Sequence, residues 1–161
     1  MCAKSIIFYT FAAKMTNMKQ ITIKVAWNNS AFEGLVSSET SYGEMKIVTK
    51  DFNDIIDMGE AELKIGFDGY TEFGLELPEW YKNKEYEFVY KFQDVTAMLK
   101  AYSSYVSLAA ISRETGINSA LLSHYANGLK VPRNKQQKII VAGLHMIGAL
   151  LSKCTIDDER K

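Results

Sequence analysis

The sequence has little of what staples a fold or ligates a metal. It holds two cysteines, Cys2 and Cys154, and two histidines, His124 and His145, in 161 residues. Two thiols cannot build a multi-bridge scaffold. No Cys-x-x-Cys or paired-histidine spacing offers a metal site. The expectation is therefore no metal, no cofactor and a reducing, cytoplasmic compartment. Long apolar runs are also missing. The run Ile6–Ala13 is eight residues long between Lys4 and Lys14, far short of the roughly 20 that cross a bilayer, so no membrane partner is expected. It has a weak n-region and no clean cleavage site for a secretory signal. Met18 then opens a well-patterned strand, so residues 1–17 are read as a poorly ordered extension and Met18 as a natural start, with an extra strand or helix packed on the domain as the alternative for 1–17. Net charge is absent too: 19 Lys+Arg balance 19 Asp+Glu, which excludes a uniformly basic nucleic-acid coat.

What is present is an uneven distribution of that charge. From Met18 to Val106, nine lysines stand against fifteen carboxylates, a net of −6. From Ser107 to Lys153, six cations stand against one acid, a net of +5. An acidic half followed by a basic half points to a nucleic-acid contact in the second.

The acidic half reads as a small α+β unit. Ile21, Ile23, Val25 and Trp27 alternate with Thr22, Lys24 and Ala26, the period of a strand. Asn28-Asn29-Ser30 is a turn signal, and Ala31–Ser38 follows as an antiparallel partner. Met45–Thr49 is a third strand. Phe52, Ile55, Ile56 and Leu63 then take up helical spacing from Thr49 to about Leu63, with Thr49 or Asp51 as N-cap. Gly66, Gly69 and Gly74 are read as the helix end and a loop, in which Pro78 argues against a central strand. Lys84–Phe92 is the last strand, its aromatic row Tyr86, Phe88, Tyr90 and Phe92 facing the Phe52/Ile55/Ile56 side of the helix. A stacking platform for RNA bases would need basic neighbours, and this half is acidic. Asp51, Asp54, Asp57, Glu60 and Glu62 read as a solvated helix face, without the convergence that metal-dependent cleavage requires. No catalytic residue and no enzyme activity is expected.

The basic half reads as a helix-turn-helix. Val95, Met98, Leu99 and Tyr102 give helix spacing within Asp94–Tyr105. Ser107 caps the helix Leu108–Glu114. Gly116 permits a sharp corner, Ile117 plugs it, and Asn118 caps the next helix, which runs to about Ala126. Asn127-Gly128 and Pro132 end that helix, and a long one follows from near Asn134 to Ser152. Ile111, Leu122 and Tyr125 face inward. Ser119, Ala120, Ser123 and His124 are left on the outer face, short enough to reach base edges in a major groove about 12 Å wide. Asn118, Asn127, Lys130, Arg133 and Lys135 suit phosphates. His145 sits in the last helix as a structural residue. That helix carries more apolar surface than one small domain needs, so it is read as part core and part dimer interface.

Both halves together resemble the HicB family of antitoxins, in the form with a C-terminal Xre/lambda-repressor-like helix-turn-helix. The run SLAAISRETGINSALLSHYANGLKVPRNKQQKII carries the more specific likeness, and ITIKVAW, AFEGLV and TKDFNDIIDMGEAEL carry the N-terminal one. The resemblance implies a degenerate RNase-H-like β-β-β-α-β domain over residues 18–92, without catalytic residues, that blocks a small HicA-like mRNA-cleaving toxin. It implies a helix-turn-helix domain over 93–153 that binds operator DNA as a homodimer or higher oligomer and represses its own operon, with 154–161 as a tail. Three features depart from the family pattern: SSETSYG replaces the usual proline-rich stretch, the loop from Gly66 to Asn83 is long, and Leu108 stands where related repressors often carry Gln. The alternatives are a stand-alone helix-turn-helix regulator with a ligand- or protein-sensing N-terminal domain, and an RNA-processing enzyme using the N-terminal carboxylates.

Overall fold

A computed structural model describes residues 18–36 and 45–155. The extension 1–17, the SSETSYG stretch and the tail beyond Thr155 lie outside the described residues. The described chain is mixed α+β, with one four-stranded sheet and six helices, and it divides into two compact units between Gln93 and Asp94.

The first unit begins with β1 (Lys19–Asn28) and β2 (Ala31–Val36). Asn29 (φ 48°) and Ser30 (φ 61°) are both left-handed, and Asn28 pairs with Ala31. Two positive φ values in a two-residue loop match the right-handed twist of the strands they join. β3 (Met45–Thr49) lies antiparallel to β2, placing Gly34 beside Ile47. α1 (Phe52–Glu72) then carries the chain across to β4 (Tyr86–Phe92), which lies parallel to β1 in the order β3-β2-β1-β4. Alternation puts Ile21, Ile23 and Val25 in the core. α1 contributes Phe52, Ile55, Leu63 and Phe67 to the core, and at its buried Gly59 a Cβ would press on Ile23 Cδ1 at 3.0 Å. The aromatic row of β4 packs on this helix: Phe52 lies 5.2 Å from Tyr90 and 5.6 Å from Phe92, ring to ring.

Three expectations for this unit change. α1 does not stop near Leu63 but continues through Gly66 and Gly69 to Glu72. Each glycine costs a helix about 1 kcal/mol, and aromatic packing outweighs that cost: Phe67 sits 4.1 Å from the ring of Tyr81, 5.5 Å from Trp80 and 5.2 Å from Tyr70. The segment after Pro78 is not all loop, because α2 (Glu79–Lys82) presents Trp80 and Tyr81 to that cluster. Ile56 is 38% exposed and stands outside the core.

The second unit is all helical: α3 (Val95–Ala101), α4 (Leu108–Thr115), α5 (Ser119–Ala126) and α6 (Asn134–Leu151). α3 ends earlier than its spacing suggests, at Ala101, after Asp94 caps it by accepting from the Ala97 N–H at 2.7 Å. Ile111, Leu122, Tyr125 and Ile140 form the core with Val95, Met98 and Leu99. α6 crosses α4 at Gly143, where an added methyl would overlap Cγ2 of Thr115. Thr115 cannot swing aside freely, because its hydroxyl donates to Ile111 O at 2.6 Å. Gly143→Ala is therefore expected to cost about 1–2 kcal/mol, the lower part of the overpacking range. Thermal melting of the variant reads this as a lower midpoint; an unchanged midpoint would mean the helices part there without strain.

Candidate nucleic-acid interface

The corner between α4 and α5 is fixed by short side chains bonded to local backbone. Ser107 Oγ accepts from Ala110 N–H at 3.2 Å and starts α4. Gly116 ends it in the left-handed region at φ 71°, a conformation a Cβ would strain. Asn118 Oδ1 accepts from Ala120 N–H at 2.8 Å and starts α5. Loss of such a cap costs about 1 kcal/mol, so Asn118→Ala is expected to lower stability by that amount in urea melts. Thr115 was not singled out by sequence reasoning, yet its hydroxyl also accepts from Ile117 N–H at 3.2 Å and locks the corner from inside. A threonine directly before the corner glycine was the available signal.

α5 has two distinct sides. Leu122 and Tyr125 are buried, 0% and 3% exposed, and Leu121 is half-buried. Ser119 and Ala120 are exposed, and Ser123 and His124 half-buried. Positions 119, 120, 123 and 124 form one stripe, because residues four apart on a helix are neighbours. The stripe offers two hydroxyls, one imidazole and one methyl, none long enough to hold a base edge at a distance.

Beyond α5, Asn127, Lys130, Arg133 and Lys135 are all exposed. Asn127 is partly occupied, since its Nδ2 donates to Ser123 O at 2.9 Å and secures the end of α5. Among the described residues no ion pair engages Lys130, Arg133 or Lys135. Lys138, one turn after Lys135, is exposed as well and was missed, although its i,i+3 spacing from Lys135 was legible. Over residues 94–155 only Asp94 and Glu114 oppose seven Lys and Arg side chains, and Asp94 is spent as a cap. Tyr125 joins the two groups: its phenol donates to Gln136 Oε1 at 2.9 Å, and that oxygen also accepts from the Arg133 N–H at 3.3 Å.

α6 buries Ile140 and Gly143 and exposes Val141, Met146, Leu150 and Leu151. His145 is exposed rather than built into the packed interior, because this part of the helix has no described neighbour on that side.

In the first unit the helix acids do not converge. Asp51 caps α1 by accepting from Asn53 N–H at 3.0 Å, and Asp54 accepts from the Thr49 hydroxyl. Asp57 and Glu60 are exposed. Elsewhere, Asn28 and Lys46 hold the Glu33 carboxyl below its usual range. Among the described residues no three His, Cys, Asp or Glu side chains gather where they could hold a metal ion, and no helix is long and apolar enough to cross a membrane.

No family model, no curated protein and no solved structure matches this chain.

Proposed function

We propose that this protein is a non-enzymatic antitoxin that binds duplex DNA, with the second unit as a helix-turn-helix reading its own operator. The observation that carries the proposal is α5 itself, which buries Leu122 and Tyr125, exposes Ser119 and Ala120 with Ser123 and His124 half-buried, and is followed by exposed cations. Ser119, Ala120, Ser123 and His124 are assigned to base edges. Lys130, Arg133 and Lys135 are assigned to phosphates, whose charge they neutralise with release of condensed counterions. Asn118 and Asn127 contact phosphates while holding the ends of α5. Two copies read paired half-sites about 34 Å apart, and the exposed apolar side chains of α6 join them.

The first unit is assigned to the toxin. Its support is the likeness to the HicB pattern and the net charge of −6 over residues 18–93, eight lysines against fourteen carboxylates, which attracts a basic RNA-cleaving partner. The reading places the protein in the cytoplasm.

The test is fluorescence anisotropy of the full chain on the DNA upstream of its own gene and on a scrambled duplex, with purification alongside the product of the adjacent gene. Affinity for the upstream DNA about 10³-fold above scrambled is expected, together with co-purification. Equal affinity for both duplexes removes the operator assignment. Operator binding without co-purification turns the reading to a stand-alone regulator.

A further inference from the structure

The loop between α5 and α6 leaves two branched apolar side chains in water. Leu129 is 70% exposed and Val131 is 86% exposed, the highest value among the described large hydrophobic residues. They flank Lys130 and precede Arg133. The loop itself is anchored. Gly128, at φ 70°, reverses the chain, and the N–H groups of Leu129 and Lys130 both donate to His124 O, at 2.9 and 3.4 Å. Pro132 is buried, and its carbonyl accepts from Gln137 Nε2 at 3.1 Å. A backbone this well held brings Leu129 and Lys130 up against the last turn of α5, at the His124 carbonyl, yet leaves the side chains of Leu129 and Val131 largely in solvent.

We infer that Leu129 and Val131 are contacts to the apolar C–H surface of duplex DNA, either a thymine 5-methyl group or a deoxyribose. The inference rests on the DNA-binding reading above and names a chemistry within it. Charge selects the occupant. An apolar protein surface laid over this loop would strip water from Lys130 and Arg133 without neutralising them, which is costly. A nucleic-acid backbone neutralises both. Beside a phosphate gripped by Lys130, the surfaces a neighbouring Leu or Val meets are sugar C–H groups and, at the groove edge, the thymine methyl. The pattern Leu-Lys-Val-Pro-Arg thus interleaves phosphate and apolar contacts along one loop, and it makes the protein sensitive to groups that carry no charge.

The test uses the full chain and its Leu129→Ala/Val131→Ala variant. Both side chains stand largely in solvent, so truncation leaves the fold intact, as a melting curve verifies. The probes are the upstream duplex and the same duplex with deoxyuridine for thymine, which removes only methyl groups. The variant is expected to bind the upstream duplex about tenfold more weakly with an unchanged salt slope. Wild type that weakens equally on the deoxyuridine duplex, with no further loss in the variant, assigns the thymine methyl. Wild type indifferent to that exchange, with the variant still weak, assigns the deoxyribose. A variant with wild-type affinity overturns the inference and leaves the DNA reading standing, as does one that changes only the oligomeric state. Wild type that binds no duplex removes both.

Discussion

Tyr125→Ala is expected to strip about 3–5 kcal/mol from the second unit, the usual cost of deleting a buried aromatic ring, and to abolish duplex binding with it. The ring is 3% exposed and belongs to the core that Ile111, Leu122 and Ile140 complete. Its loss removes the underside by which α5 is fastened, and also the phenol that donates to Gln136. The backbone tie from Thr96 Oγ1 to Tyr125 O at 2.8 Å survives the substitution and cannot replace the packing. Tyr125→Phe separates the two losses: it keeps the ring and gives up one hydrogen bond, worth about 1 kcal/mol. Urea unfolding followed by circular dichroism at 222 nm measures both. Trp27 and Trp80 lie in the first unit, so their fluorescence in the same titration follows that unit. An unshifted dichroism midpoint for Tyr125→Ala would mean α5 is not held by this residue.

Lys130→Ala/Arg133→Ala is expected to weaken binding roughly hundredfold, from two charge-assisted contacts of about 1.5 kcal/mol each. The loss falls about equally on operator and scrambled DNA, because phosphates carry no sequence information. A plot of log K against log salt becomes shallower by about 2, or 0.9 for each phosphate released. Both side chains are exposed and unpaired among the described residues, so stability stays within about 0.5 kcal/mol of wild type. Isothermal titrations at two or three salt concentrations give slope and affinity together. A slope unchanged from wild type would place the phosphates elsewhere.

Much of the local architecture was legible because it is locally encoded. Strand alternation in β1 and the caps at Ser107 and Asn118 depend on a few adjacent residues, and so does the left-handed glycine at 116. What misled was tertiary. Gly66 and Gly69 read as a helix end, and nothing in the adjacent sequence announces that Phe67 meets Tyr81 and Trp80 from α2. Ile56 fits the apolar period of α1, yet it stands 38% exposed. His145 looked interior by the company it keeps in sequence, while its side of α6 faces solvent. In the candidate interface the exposure of Ser119 and Ala120 followed from helical spacing, while Ser123 and His124, on the same stripe, are half-buried. The hydrogen bond from Tyr125 to Gln136 spans eleven residues across a loop and no pattern encodes it. The exposure of Leu129 and Val131 was equally silent, because an apolar residue in a loop gives no sign of whether it finds cover.

The central assignment is that the stripe through Ser119 and Ala120 lies against a duplex. Ala120→Cys, with Cys2 and Cys154 replaced by serine, allows an iron chelate to be tethered at that position, where hydroxyl radicals cut DNA only within a short reach. Strand cleavage focused on one short tract of the upstream DNA, absent on a scrambled duplex, is the expected result. A complex that forms on the upstream DNA but shows no cleavage from position 120 would contradict it.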